Sequence, residues 1–234
     1  MKKKLIYLLT TLLLISSLAS CQSSKKSTKE STKASTTDQT TDETSTKETK
    51  SEKDDSSITL SRGTQSITEY ANKSVNIKFP LTNFGTIITE DQLQKLKSYS
   101  YSNSEVSKLY NEDQLNALDK GVTYDFMGYL PDGKSNVLIY YEDMTITAGK
   151  VISCQTYLNT VLQQLKAMGY EFEYTAKEVE LAGQTFSMIS GKYNGITQTY
   201  YCNTYGNYLY AIIVSTIDMN NIYEENFIKT VRSY

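Results

Sequence analysis

Apolar residues recur along this chain in two rhythms, one of three to four residues and one of two. Between Ser153 and Met168, the residues Cys154, Tyr157, Leu158, Val161, Leu162 and Leu165 fall three or four apart, which gathers them on one face of a helix. Gly169 follows, where such a helix stops. Tyr223, Phe227, Val231 and Tyr234 repeat the spacing after the stretch Asp218 to Asn221 and predict a terminal helix docked by one face. Two shorter helices are predicted to start at Thr89, where Thr89-Glu90-Asp91-Gln92 has the form of a capping box, and at Asn111, the latter ending at Gly121.

The period-two signal alternates with these helices. In Val75-Asn76-Ile77-Lys78-Phe79 every second residue is apolar, so one face of that strand is wet. Val137 to Tyr141 and Tyr210 to Val214 are apolar at every position, the pattern of strands covered on both faces. Turns at Pro131-Asp132-Gly133-Lys134 and Tyr205-Gly206-Asn207 join neighbouring strands into hairpins. A largely antiparallel sheet with helices between its hairpins predicts an α+β domain, an α/β/α sandwich covered by helices on both faces.

This pattern begins only at Ile58. Residues 1–20 have a different organisation: Met1-Lys2-Lys3-Lys4 is positive, Leu5 to Ile15 is apolar, and Ser16 to Ser20 is rich in small residues. That is the anatomy of a secretory signal peptide, with an apolar core shorter than the roughly 20 residues of a permanent span. Leu18-Ala19-Ser20-Cys21 resembles the bacterial lipobox, which implies acylation of the Cys21 thiol, cleavage just before it and anchorage at the outer face of the cell membrane. Acyl chains such as palmitate add about 0.8 kcal/mol of membrane affinity per buried methylene. From Gln22 to Ser57, 18 of 36 residues are Ser or Thr, 7 are Lys and 8 are Asp or Glu. Without large apolar side chains this segment, 21–57 with its cysteine, predicts a disordered tether with a reach of about 30–36 Å.

Charge and chemistry narrow the function of residues 58–234. The domain carries 14 Lys and Arg against 18 Asp and Glu, a balance that argues against nucleic acid or anionic lipid as its main partner. The chain has no histidine, which removes Ser-His-Asp and Cys-His catalysis and His-ligated metal sites. No phosphate-cradling glycine loop or EF-hand spacing occurs either, so no cofactor and no metal are expected. Cys154 and Cys202 are read as two separately buried side chains or as a disulfide, and no basic neighbour marks either as a reactive thiol. The acidic pairs Glu90-Asp91, Glu112-Asp113, Glu142-Asp143 and Glu224-Glu225 are read as solvated, mostly at helix starts. Acid–base work or calcium binding by them is the alternative. Tyrosine is the one enrichment, 20 residues; Tyr200, Tyr201, Tyr205 and Tyr208, in the hairpin Gln198 to Tyr210, are either half-core strand residues or a binding patch.

The order of elements is informative as a whole. A hairpin ending in Ile77-Lys78-Phe79-Pro80 leads to a helical region, the hairpin around Asp132-Gly133 and the helix at Ser153. Leu181-Ala182-Gly183-Gln184-Thr185-Phe186, Gln198-Thr199-Tyr200-Tyr201, the strand Tyr208 to Ser215 and a short terminal helix complete it. This resembles the PsbP-like superfamily (Mog, PsbP and DcrB types) over about Ser66 to Tyr234, with Phe84 in the place where members often carry a Trp. The resemblance implies a docking or assembly module without shared catalytic residues. The expectation is therefore a non-enzymatic, lipid-anchored interaction module that meets a protein or surface polymer. A carboxylate-dependent hydrolase or a small-molecule carrier is the alternative.

Overall fold

In the computed structural model the described residues are 59–102, 110–167, 169–172, 176–217 and 221–234. The signal peptide, the lipobox Leu18-Ala19-Ser20-Cys21 and the tether lie outside them.

The two stretches read as doubly covered strands are the middle of the main sheet. β6 (Asn136–Asp143) and β11 (Tyr208–Thr216) pair side by side, each with almost every residue buried. Around them the order is β4-β5-β6-β11-β10-β9-β7, with β8 also on β9, and every pairing is antiparallel. β4 is Thr86–Ile87, β5 Val122–Tyr129 and β7 Glu171–Phe172. β8 is Lys177–Leu181, β9 Gln184–Tyr193 and β10 Ile196–Tyr205. Two tight hairpins set the register of the β8–β9–β10 end. Ala182-Gly183 and Asn194-Gly195 each hold two successive residues at positive φ, between 50° and 76°, as a type I′ turn requires.

One face of this sheet is covered by helices. α1 (Glu90–Ser102), α2 (Glu112–Gly121) and α4 (Cys154–Ala167) bury Leu93, Leu118, Tyr157, Leu158, Val161, Leu162 and Leu165 in one apolar cluster. Tyr124, Leu138, Tyr140, Ile189, Tyr200, Cys202, Leu209, Ala211 and Ile213 meet them from the strands. The capping box predicted at Thr89 is present, and the helix start predicted at Asn111 carries one as well. Gln92 accepts the Thr89 backbone N–H at 2.9 Å and Gln114 that of Asn111 at 2.9 Å, while Asn111 accepts the Gln114 N–H.

The other face is covered mainly by a second, three-stranded antiparallel sheet, β1 (Thr64–Gln65), β2 (Glu69–Asn72) and β3 (Ile77–Pro80), together with α5 (Ile222–Ile228). Tyr70, Ile77, Phe79 and Phe227 pack there on Phe126, Val137, Ile139, Tyr210, Ile212 and Val214. The α+β class, the largely antiparallel sheet and helices on each face are as expected; the small sheet is an addition.

Two local expectations change. β3 starts at Ile77, not Val75, because the Asn72 side chain accepts the Ser74 N–H and turns Lys73–Val75 into one 3₁₀ turn, closed by Asn76 at φ 52°. The terminal helix ends at Ile228. Beyond it Arg232 and Lys78 exchange backbone hydrogen bonds of 2.9 Å, so the last residues extend along β3 instead of coiling further. A short α3 (Met144–Thr147) follows β6.

Candidate functional site

Among the described residues three carboxylates are buried, and each is held where a covering element meets the main sheet. Asp125 sits in a register shift of β5 between Tyr124, which faces the helices, and Phe126, which faces the small sheet. The extra residue of such a bulge re-aims a side chain, and here the carboxylate meets the N-terminal strands. It accepts the Gly63 N–H at 2.8 Å, the Tyr70 hydroxyl at 2.5 Å and the Asn72 amide at 3.0 Å. Burial raises its pKa; the bonds from Tyr70, Asn72 and Gly63 and the Arg62 charge counter only part of that. Arg62 itself donates to the Tyr124 carbonyl at 2.5 Å and pairs with Glu90.

Glu142 occupies the helix side. At the end of β6, and 1 % exposed, it accepts from the hydroxyls of Thr147 in α3 and Tyr157 in α4, the latter at 3.0 Å. Tyr157 in turn lies 3.0 Å from the Tyr140 hydroxyl, and since Tyr157 donates to Glu142, Tyr140 donates to Tyr157. Burial pushes the Glu142 carboxyl up to about 7, with the two hydroxyls opposing and Asp143 adding to the rise. Further along the same face, Tyr200 donates to Gln198 at 2.6 Å and Gln198 to Ser215 at 3.0 Å.

Glu224, in α5, is the third. It accepts from Tyr201 at 2.7 Å and Thr199 at 3.0 Å, and Thr199 continues to Ser190 at 2.9 Å. The solvated reading therefore holds for Glu90-Asp91 and Glu112-Asp113, which are exposed in first helical turns. It fails for Glu142 and Glu224, which are buried. Each of these two has hydroxyl partners on the sheet or on a neighbouring helix, and sequence adjacency does not display such partners. The one sequence signal for Asp125 was a single charge inside the apolar run Tyr124 to Met127.

The chemistry of this set is constrained by its layout. Glu142 is on the helix face and the other two on the opposite one. Asp125 is reached over β5 and Glu224 over β10, with β6 and β11 between, a lateral separation of about 14 Å at ordinary strand spacing. Paired glycosidase carboxylates stand about 5–9.5 Å apart. No group of three or more His, Cys, Asp or Glu among the described residues is arranged to hold a metal ion. No described helix is long and apolar enough to cross a membrane.

The tyrosine patch takes a different form from an exposed surface. Tyr200 and Tyr201 are buried, on the helix face and the small-sheet face respectively, because both faces of β10 are covered. Tyr205 and Tyr208 are half-buried; the Tyr205 hydroxyl donates to Gln184 at 2.8 Å and the Tyr208 ring meets Tyr141 edge-on. The four do not form a free contact surface. Cys154 and Cys202 are both free thiols, not a disulfide. Burial pushes Cys154 up to about 11 and raises Cys202 well above the ordinary thiol value, as expected of small apolar side chains in a core.

No family model matches the chain, and no curated protein matches it. Among solved structures it is similar to the solution structure of cyanobacterial PsbP (CyanoP) from Synechocystis sp. PCC 6803. The two share 8 % identity with a TM-score of 0.40, over 76 % of this chain and 96 % of that one.

Proposed function

We propose that this protein is a non-enzymatic interaction module, secreted by the signal peptide 1–20, held at the outer face of the cell membrane by lipid on Cys21, and carried on the tether that ends at residue 57. Its folded domain docks a protein or a surface polymer. The observation that supports a docking role over catalysis is the use of the buried carboxylates. Asp125 receives three donors from the N-terminal segment, Glu142 one each from α3 and α4, and Glu224, on α5, two from β10, so that they fasten the N-terminal strands, α3 with α4, and α5. A carboxylate with such donors in place stabilises an assembly of elements.

Mass spectrometry of the N-terminal peptide from the expressed protein tests the anchor. The expected result is a diacylglycerol thioether on Cys21, with Cys21→Ser moving the chain from the membrane fraction to the soluble one. An unmodified Cys21 would overturn it. Crosslinking on intact cells, followed by identification of the captured species, tests the docking role.

The near-neutral carboxyl of Glu142 favours one other reading, a hydrolase that exposes this group when α4 lifts. Turnover of a substrate by the full chain, abolished in Glu142→Gln with thermal unfolding unchanged, would put that reading in place of the first.

A further inference from the structure

The domain is acidic as a whole, yet one small region of its surface is not. The 3₁₀ turn Lys73–Val75, β3 and the last residues of the chain meet at the ring of Tyr234. The Lys73 ammonium lies 4.9 Å from its centroid and that of Lys78 5.7 Å. The Tyr234 N–H donates to the Asn76 side chain at 3.0 Å, which fixes the ring's place beside the left-handed turn. Arg232 stands directly opposite Lys78 in an antiparallel bridge. Like charges in that relation disfavour pairing. Yet no carboxylate among the described residues forms an ion pair with Lys73, Lys78 or Arg232; the ion pairs present there engage Arg62, Lys97 and Lys229. Lys73 and Arg232 are exposed and Lys78 half so. The outcome is a patch of three cationic side chains, none in an ion pair with a carboxylate of the described residues.

The tether joins the domain at this same place. The Ser61 backbone N–H and hydroxyl meet the Ser74 hydroxyl at 3.3 and 2.9 Å, and the Asn72 side chain donates to the Ser61 carbonyl at 3.0 Å. The chain that arrives from Cys21 is therefore stitched to the turn that carries Lys73. Resting on the lipid anchor proposed above, we infer that Lys73, Lys78, Arg232 and Tyr234 form a membrane-facing patch that sits on the anionic headgroups of the lipid to which the protein is tethered. Charge complementarity selects the occupant, and the end of the tether selects the side. The net acidic charge does not oppose this, because beyond a Debye length of about 8–10 Å the rest of the domain is screened from the headgroups. Each basic residue near an anionic surface strengthens attachment about fivefold, so the three together contribute on the order of 100-fold.

The test uses the full chain as expressed, reconstituted into vesicles of phosphatidylcholine with or without phosphatidylglycerol, and reads amide hydrogen exchange at residues 73–78 and 230–234. The expected result is slower exchange of these residues on phosphatidylglycerol vesicles, reversed by high salt and absent in Lys73→Gln/Lys78→Gln/Arg232→Gln. Equal exchange on the two vesicle types would overturn the inference. So would protection by soluble polyglutamate without protection by the anionic vesicles, which would assign the patch to an acidic polymer. The salt reversal is read on the unaltered chain and stands apart from any effect of the substitutions on folding. Should Cys21 prove unacylated, the same chain is titrated with both vesicle types. Binding on the order of 100-fold tighter with phosphatidylglycerol then keeps the patch while the anchor fails; equal binding overturns both.

Discussion

Glu142 carries the largest consequence of any single side chain. Its carboxyl titrates at about 7 in the folded protein against an ordinary value of 4.5, so the folded state holds a proton that the unfolded chain releases. A raised acid favours folding below the unfolded value, and that contribution is lost as pH climbs through the folded one. Stability should therefore fall between pH 4.5 and 7 by about 3 kcal/mol at most. Urea unfolding at several pH values checks this, and Glu142→Gln should flatten the profile. If both proteins show the same slope, the proton is elsewhere. The cysteines supply a second check at this scale. With its thiol raised to about 11, Cys154 should label slowly at pH 8 with a disulfide reagent, and Cys202 only when denaturant opens the sheet. Fast labelling of both in the native protein would contradict their burial.

Among elements, local signals were legible and shared ones were not. The capping box at Thr89 could be read because both partners lie within three residues, the helix start at Asn111 likewise from a local signal, and α4 because its apolar face repeats over four turns. Of the small sheet only β3, through its alternation, and the hairpin that it closes could be read. The strands of that sheet are two to four residues long, and what holds them is a set of aromatic rings drawn from four separate segments. Phe79 lies 4.7 Å from Tyr70, 5.1 Å from Phe126 and 5.2 Å from Phe227. The carboxylates were misread for the same reason, since their partners are distant in sequence. Phe84, which packs on Phe79, Phe126 and Phe227, also lies against Gly128, where a Cβ would stand 2.4 Å from its ring. Gly128→Ala should displace that ring and cost about 1–3 kcal/mol by overpacking, read as a drop in the urea midpoint. The double change Gly128→Ala/Phe84→Leu should cost less than the sum of the single ones.

At the scale of the molecule, one face of the main sheet is closed by segments from both ends of the domain. Asp125 fastens the beginning, Glu224 the end, and the bridge between Lys78 and Arg232 joins the two. Asp125→Ala strands the donors of Gly63, Tyr70 and Asn72, and should destabilise by about 2–4 kcal/mol while opening residues 60–72 to proteases ahead of the rest. Limited proteolysis with mass identification, comparing cuts within 60–72 in the altered and unaltered chains, reads this directly. No gain of cleavage there would mean that the small sheet is held by its aromatic rings alone.

The place of β11 has one more consequence, in the order of time. It is the last strand to be synthesised and the central one of the sheet, bordered by β6 on one side and β10 on the other. A chain lengthening from its N-terminus thus completes two half-sheets whose inner edges have no common neighbour until nearly the last residues are added. Closure must wait for β11, which pairs with β6 across a long stretch of sequence, and such distant contacts make for slow folding.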